Sequence, residues 1–279
     1  MRSAVVVSIT LLCLSLAYYA FRVEPAALHV AAYDVTLPAE MKQASGLRIA
    51  LLADFHAIEN DDGREDLARS IQMANALHPD LILLGGDYMR TRSLEQPMDP
   101  QRIASYLAQF KAPLGVYAVL GNGDWRYGGD DVIAALRSAN IQVIENQAVV
   151  LSNRLAIVGI SDHATWQSPD SVNVKKAFSQ LPATHPYILA LTHSPRIFPY
   201  LPASVGPLVM LAGHTHNYQV NVPAFWKLVS VFMTPEKYLL AHGTTTNGMH
   251  QLIVTSGVGT GRVRVRFNAK PEIVLITLR

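Results

Sequence analysis

The chain has 279 residues, half of them apolar, and a formal net charge of +2 with only 16% charged side chains. This length allows one substantial hydrophobic core, and the charge balance excludes both a strongly basic nucleic-acid-binding surface and an acidic disordered chain. The single cysteine, Cys13, excludes a disulfide framework or a thiolate cage, so a metal site would have to use nitrogen and oxygen ligands.

The first predicted element is an apolar segment. Residues 3–21 are nearly all apolar and long enough to span a bilayer. A cleavable signal peptide usually has a shorter apolar region and a small-x-small site, so we favour an uncleaved anchor over residues 1–24; a signal peptide and a buried core helix are the alternatives. Arg2 precedes the segment, and Glu24 offsets Arg22 behind it. This predicts a single-pass protein with a cytoplasmic N-terminus and an extracytoplasmic catalytic domain.

Residues 25–46 are interpreted as a linker and first strand region, and residues 47–279 as one domain in which strands alternate with helices. The predicted strands are Leu47–Ala53, Leu81–Leu84, Val116–Leu120, Gln142–Val150, Leu155–Ile160, Tyr187–Leu191, Leu208–Ala212, Gln251–Thr255, Arg262–Phe267 and Ile273–Leu278. The predicted helices are Gly63–Leu77, one that begins at Asp99-Pro100, and about Asp131–Ala139.

The strand predicted at Arg262–Phe267 has an unusual alternation of three arginines with three apolar residues. The period of two places Arg262, Arg264 and Arg266 on one face. That face is interpreted as solvated, with an anion-binding surface as the alternative.

Short polar motifs follow several of these aliphatic runs. They are Asp54-Phe55-His56, Gly86-Asp87, Gly121-Asn122-Gly123-Asp124, His193 and Gly213-His214-Thr215-His216. Open α/β sheets bind ligands at the carboxyl ends of their strands, so we expect these side chains to meet at one edge. Carboxylates, neutral imidazoles and an amide suit a pair of cations about 4 Å apart, bridged by one carboxylate, which is the arrangement that cleaves phosphate esters at neutral pH.

The order of these motifs resembles that of the calcineurin-like metallophosphoesterases, and the resemblance extends from about Leu47 to the C-terminus. It implies a four-layer αββα sandwich of two mixed β-sheets flanked by helices, here with an N-terminal transmembrane helix. It also implies a metal-dependent hydrolase of phosphomonoester, phosphodiester or pyrophosphate bonds, with a dinuclear metal centre and a bridging hydroxide.

The resemblance further implies a role for each motif residue. Asp54, His56 and His216 would hold the first metal, Asn122, His193 and His214 would hold the second, and Asp87 would bridge them. This ligand set does not distinguish Mn²⁺, Fe, Zn²⁺ and Mg²⁺.

One position departs from the family pattern. Gly123 replaces a histidine that acts on the phosphate as a proton donor or charge stabiliser, and Asp124, the acid that normally orients this histidine, remains as a candidate catalytic residue. His163 is a candidate replacement in substrate binding, together with Asn122, and Arg90 or Arg126 would replace the charge. General acid catalysis is typically worth about 10²–10⁴-fold, so its loss favours activated leaving groups such as aryl phosphates and pyrophosphates.

The C-terminal sequence, including Thr255–Thr260 and Pro271–Leu278, is similar to that of single-domain, membrane-associated bacterial members of the family. These members include relatives of UDP-2,3-diacylglucosamine hydrolases of lipid A synthesis. The expected partners are therefore a phosphate-ester substrate, lipid-linked or a nucleotide, and the membrane, without nucleic acid. The alternative function is a catalytically degenerate metal-binding scaffold at the membrane.

Overall fold

The computed structural model describes residues 2–91, 95–151, 155–161, 170–222 and 242–279, and within these ranges twelve strands form two six-stranded sheets. The strands are β1 His29–Val35, β2 Arg48–Leu52, β3 Leu81–Leu84, β4 Val116–Ala118, β5 Gln142–Val143, β6 Gln147–Leu151, β7 Leu155–Ile160, β8 Tyr187–Thr192, β9 Leu208–Ala212, β10 Gly243–Asn247, β11 His250–Val254 and β12 Glu272–Leu278. The α-helices are α1 Arg2–Tyr18, α2 Asp61–Ala76, α3 Pro100–Leu107, α4 Asn122–Ser138 and α5 Asp170–Phe178.

Both sheets are mixed. The first has the strand order β1-β12-β2-β3-β4-β5, in which β2 to β5 are parallel and β12 is antiparallel to β2. The second has the order β10-β11-β9-β8-β7-β6, in which the four central strands are parallel and both edge strands are antiparallel to their neighbours. Two mixed sheets flanked by helices confirm the predicted fold class.

The alternation of side chains along the strands builds the layers. In β2, Ile49 and Leu51 belong to the hydrophobic cluster between the two sheets, whereas Ala50 and Leu52 belong to the cluster with α2, α3 and α4. In the second sheet, Ala190 of β8 lies in a third cluster, which includes α5. Three clusters therefore separate four layers.

The N-terminal helix lies outside these layers, because no side chain of α1 is buried. In the described part of the chain, the helical stretch Arg2–Ala26 is the one long and apolar enough to cross a membrane. The same length and composition also suit a signal sequence. β1 follows within the predicted linker region and is parallel to β12 at the edge of the first sheet.

Three predicted segments differ from the observed structure in part or in whole. Gln142–Val150 is two strands in different sheets, because the chain turns at Asn146, whose φ of 53° is left-handed. The helix predicted at about Asp131–Ala139 is the second part of α4, and Gly128, with a φ of 147°, separates it from helical turns at residues 122–127 that the sequence pattern did not indicate. The segment from Arg262 to Phe267 forms an isolated bridge instead of a strand, because Arg266 points inward and binds backbone carbonyl groups.

The fold brings the polar motifs to one edge of the sandwich. Strands β2, β3 and β4 of the first sheet and β8 and β9 of the second each end just before a motif. Backbone hydrogen bonds join these loops: the N–H of Asp54 donates to the carbonyl of Gly86, and the N–H of Gly213 donates to the carbonyl of His193, both at 2.9 Å. Loops fixed in this way hold their side chains in place.

Candidate metal centre

The motif loops hold several side chains on an uncommon backbone conformation. Asp54, His56 and Asp87 have φ values of 59°, 44° and 56°, and His214 and His216 have φ values of 73° and 52°. A non-glycine residue in this region costs about 1–3 kcal/mol, and such residues cluster at functional sites. Five of the seven predicted ligands share this conformation, which points to loops shaped by a site and not by stability alone.

One group of donor atoms combines the first and last motifs. The Nε2 atoms of His56 and His216 lie 3.0 Å apart, with their rings stacked at an interplanar angle of 21°. Nε2 of His216 is 3.4 Å from Oδ1 of Asp54. One ligand atom from each of these three residues falls within 4.8 Å of the others, which is the spacing of a metal site.

A second group lies at the ends of β8 and β9. Nε2 of His193 is 3.0 Å from Nδ1 of His214, and one amide atom of Asn122 is 2.9 Å from the same Nδ1. Hydrogen bonding alone favours the amide nitrogen in that position, with the amide oxygen toward Arg126, whereas binding of a cation requires the oxygen there. The orientation of this amide therefore distinguishes the two situations.

Asp87 lies between the two groups. Its Oδ2 is 3.4 Å from Nε2 of His56 and 3.4 Å from Nε2 of His193. Its Oδ1 accepts a hydrogen bond from the backbone N–H of Gly123 at 2.6 Å. One carboxylate oxygen is thus shared between the groups, while the other is held by the backbone.

Contacts behind the ligand atoms orient them. Nδ1 of His193 lies 2.8 Å from the carbonyl of Gly85, and Nδ1 of His56 lies 3.2 Å from the carbonyl of Met89. A carbonyl oxygen can only accept, so each Nδ1 carries the proton and the Nε2 lone pair points toward the centre. The carboxylate of Asp54 accepts from the backbone N–H of His214 at 2.9 Å.

Burial controls the charges of these groups. It lowers the pKa of His214 to about 3 and the pKa of His216 well below its usual value, so both imidazoles are neutral near pH 7. Burial raises the pKa of Asp54 to about 7. For Asp87, burial also acts upward, but the neighbouring imidazoles, led by His193, outweigh it and hold the pKa below its usual value.

This donor set fits divalent cations. The Nε2 lone pairs of His56 and His193 each lie 3.0 Å from a ring nitrogen of a second histidine, His216 and His214 respectively. Two ligands about 2.1 Å from one cation and at right angles to each other lie about 3.0 Å apart. Imidazole nitrogens and carboxylate oxygens in this spacing suit Mn²⁺, Fe, Zn²⁺ or Mg²⁺.

A family model described as "Calcineurin-like phosphoesterase" matches residues 47–218, more than half of the chain. The chain belongs to the calcineurin-like phosphoesterase family. It is therefore a hydrolase that acts on phosphoric ester bonds, and its clustered Asp and His side chains suit the divalent metal centre of a metallophosphoesterase.

Similar proteins include UDP-2,3-diacylglucosamine pyrophosphatase LpxG of Chlamydia trachomatis, 26% identical over 313 residues that cover 92% of this chain and 91% of that protein. An uncharacterized metallophosphoesterase of Aquifex aeolicus is 27% identical over 250 residues, covering 86% of this chain and 88% of that protein. The solved structure of calcineurin-like phosphoesterase YfkN from Bacillus subtilis is 17% identical, with a TM-score of 0.44 and coverage of 77% and 82%. All three are bacterial proteins.

In this phosphoesterase, Asp124 is fully buried and its contacts are with the backbone. Its two carboxylate oxygens accept from the N–H groups of Asp87 at 2.8 Å, Met89 at 2.9 Å and Gly121 at 2.8 Å. These bonds tie the Gly-Asp loop to the start of α4. The geometry therefore favours a positioning role for Asp124 over the direct catalytic role expected from the sequence.

Gly123 is also tightly packed. A Cβ atom at this position would lie 2.9 Å from Oδ1 of Asp87 and 3.2 Å from the carbonyl of Met89. At the position where the family has histidine, the backbone of Gly123 therefore packs directly against the carboxylate of Asp87.

The candidate replacements for the missing imidazole differ in placement. Arg90 is buried, pairs with Glu95 and donates to the carbonyl and hydroxyl oxygens of Thr260, so its guanidinium already has partners. Arg126 is exposed beside Asn122 at the centre. His163 lies outside the described residues.

Sequence reasoning missed the support behind Asp54. The guanidinium of buried Arg266 donates to the carbonyls of Ser256 and Gly257 at 2.8 and 3.1 Å, and the N–H of Gly259 donates to the carbonyl of Asp54 at 2.9 Å. This glycine-rich loop packs so closely that a Cβ on Gly257 would lie 2.6 Å from Cβ of Asp54. The glycine-rich sequence Thr255–Thr260 could have indicated a close-packed loop behind Asp54. The alternation of arginines that follows it predicted a strand with a solvated face instead of a buried Arg266.

Proposed function

We propose that this phosphoesterase hydrolyses a phosphate-ester or pyrophosphate bond with two divalent cations. Asp54, His56 and His216 hold one cation, Asn122, His193 and His214 hold the other, and Asp87 is shared. The observation that carries this proposal is the position of Asp87 Oδ2, 3.4 Å from an imidazole nitrogen of each group.

The bound cations would supply a nucleophilic water and neutralise charge on the phosphoryl oxygens. The protein supplies a fixed frame for this chemistry. The neutral imidazoles keep their lone pairs directed inward, since the carbonyls of Gly85 and Met89 hold the opposite ring nitrogens of His193 and His56. Asp124 fixes the loop that bears Asp87, so the shared carboxylate does not have to be ordered when substrate arrives.

The leaving group is the point at which this chain differs from its family. Gly123 provides no proton donor, and Arg126, beside the amide of Asn122, supplies charge but does not act as a general acid near neutral pH, because its guanidinium stays protonated. A leaving group that departs as a stable anion suits this site, as in cleavage of a pyrophosphate. The similarity to LpxG, a UDP-2,3-diacylglucosamine pyrophosphatase by name, supports a pyrophosphate-linked lipid as the substrate class.

We also propose that α1 is retained as a single-pass membrane anchor, because Ala20 and Glu24 directly after it are buried against the domain. The charges flanking the segment favour a catalytic domain outside the cytoplasm. Tags at each terminus test this orientation in intact cells. A cytoplasmic domain would contradict it and would favour a nucleotide-linked substrate made inside the cell.

The decisive experiment uses the full chain in lipid nanodiscs with added Mn²⁺. Hydrolysis of an aryl phosphomonoester, an aryl phosphodiester and a pyrophosphate-linked lipid is measured together with bound metal, for the wild type and for Asp87→Asn. We expect hydrolysis that is lost, by about 10³-fold or more, in Asp87→Asn, since the shared ligand is impaired. Undiminished metal-dependent turnover in that variant would refute the ligand assignment.

The departure at Gly123 favours one competing function, a degenerate scaffold that binds metal without turnover. The same experiment separates the two. Stoichiometric metal in the wild type with no hydrolysis of any of the three substrates would support the scaffold.

A further inference from the structure

The end of the N-terminal helix is packed into the catalytic domain. The backbone N–H of Arg266 donates to the carbonyl of Ala20 at 2.9 Å, and the N–H of Ala269 donates to the carboxylate of Glu24 at 2.5 Å. The ring of Tyr19 meets that of Phe267 edge to face, with centroids 6.3 Å apart. The helix is therefore attached to the domain by specific contacts as well as by the chain itself.

Contacts on another element fix the same turn. Arg22 forms an ion pair with Asp62 of α2 at 3.1 Å, and Arg264 approaches the same carboxylate at 3.4 Å. Arg69, also on α2, donates to the carbonyl of Ala26 at 3.1 Å. The turn that follows α1 is therefore held by both α2 and the C-terminal loop.

The C-terminal loop also reaches the metal centre. A Cβ atom at Gly261 would lie 3.9 Å from Nε2 of His216, and Arg266 contacts Ala20 only five residues later. Five residues span at most about 18 Å. The metal centre is therefore close to the point at which the helix leaves the domain.

The surface around this point has a distinctive composition. Eight large apolar residues outside Arg2–Ala26 are exposed among those described, and three of them, Val220, Val222 and Val263, belong to the segments beside the helix end. Val220 forms a bridge with Phe267, which contacts the helix. Exposed Arg262 lies next to Val263. We call Val220, Val222, Arg262 and Val263 the collar.

We propose that the collar is a membrane-docking surface that lies in the headgroup region of the bilayer crossed by α1. This inference rests on α1 spanning the membrane, but it is independent of the substrate. Valines inserted among headgroups leave water, and Arg262 is attracted to anionic lipids. Phe267 contacts Tyr19 at the end of the helix and bridges Val220 of the collar, so a bilayer crossed by α1 is the surface that lies next to the collar. The metal centre would then act on phosphate groups at the membrane surface.

Spin labels test the docking directly. Val263→Cys and Val172→Cys are prepared in a Cys13→Ser background and reconstituted as full chains in phosphatidylcholine vesicles that contain phosphatidylglycerol. Val172 is the matched control because it is 55% exposed on α5, compared with 53% for Val263. We expect the label at 263 to collide with oxygen dissolved in lipid and the label at 172 to collide with a water-soluble nickel complex. Equal collision with the nickel complex at both positions would overturn the proposal.

Activity provides a second test. In the same vesicles, Val263→Asp should reduce hydrolysis of an embedded pyrophosphate-linked lipid at least about tenfold more than hydrolysis of a water-soluble aryl phosphodiester. Val172→Asp should change neither rate. An equal loss on both substrates would contradict membrane docking. If the wild type hydrolyses neither substrate, the proposed function fails, and the spin labels still decide whether the collar contacts lipid.

Discussion

Two buried charged clusters meet at Asp54: the C-terminal loop around Arg266 and the metal centre. They differ in the source of their positive charge. In the C-terminal loop, the cation is the guanidinium of Arg266, which donates to the carbonyls of Ser256, Gly257 and Ala269. At the metal centre, acceptor atoms face one another, as Oδ2 of Asp87 does with two imidazole nitrogens. In the first cluster the positive charge belongs to an arginine side chain, whereas the second cluster is suited to metal cations bound from solution. The contrast predicts that the loop contributes stability directly and that the centre contributes it through metal.

The largest expected effect is on the Arg266 cluster. Arg266→Met leaves several buried carbonyls without donors and removes the charge opposite Glu24 and Glu272, so we expect a loss of about 3–5 kcal/mol in the free energy of unfolding. Urea denaturation of the metal-free protein measures it. Arg266→Lys should be intermediate, and Arg262→Met, at an exposed arginine four residues away, should change little. Equal stability of the Arg266→Met and Arg262→Met variants would contradict the comparison.

The metal centre should show the opposite behaviour. Mn²⁺ at 100 times its Kd should stabilise the wild type by about 2.7 kcal/mol, because it binds only the folded chain. Asp87→Asn should reduce this gain, because a neutral amide is a weaker ligand for a divalent cation than the shared carboxylate. The Tm with and without Mn²⁺ measures the gain in both proteins. An equal metal-induced rise in Tm in the wild type and in Asp87→Asn would show that Asp87 is not a ligand.

Gly123 tests how closely the backbone holds the shared carboxylate. A Cβ would lie 2.9 Å from Oδ1 of Asp87, so Gly123→Ala must displace that group slightly. We expect Mn²⁺ binding to weaken about tenfold, or about 1.4 kcal/mol, measured by calorimetry. Metal-free stability should fall slightly, because the added methyl group crowds Oδ1 of Asp87 and the carbonyl of Met89. Unchanged affinity would mean that the carboxylate has room to move.

The smallest effect concerns His242, which lies 2.8 Å from the carboxylate of Glu272 in the Arg266 cluster. This hydrogen bond raises the pKa of His242 above 6.5; for Glu272, burial acts upward but the hydrogen bond from His242 outweighs it, so the pKa lies below 4.5. The stabilisation from His242 is complete below about pH 6.5 and is lost as the pH rises through the raised pKa, while the part from Glu272 is lost in acid.

His242→Gln should therefore lower the free energy of unfolding by up to about 1 kcal/mol near pH 6, with less loss near pH 8.5, because the partly exposed imidazole is screened. Denaturation at the two pH values measures the difference. His185→Gln, at a histidine whose ring contacts the carbonyl of Pro186, serves as the control. A loss that is independent of pH would rule out the ion pair as its cause.

Local pattern predicted much of the fold. The aliphatic runs at Leu81–Leu84 and Leu208–Ala212 are strands with those bounds, and the cap at Asp99 begins α3. The strand prediction failed where a segment that is not one strand has the residue pattern of a strand. Gln142–Val150 has the composition of one strand, but the left-handed turn at Asn146 sends its halves to different sheets. Alternation from Arg262 onward resembles a strand because the sequence does not show the carbonyls that Arg266 binds.

By itself, the sequence determined most of the central strands, the apolar N-terminal segment and the residue types at the strand ends, because periodicity and turn chemistry act over a few residues. Only the tertiary structure decided which groups meet. Asp124 binds the N–H of Asp87, and Glu24 binds the N–H of Ala269, at separations of 37 and 245 residues. Contacts at such separations depend on the packing of whole layers, and they place Asp87 between two groups of imidazoles and the end of the N-terminal helix against the C-terminal loop.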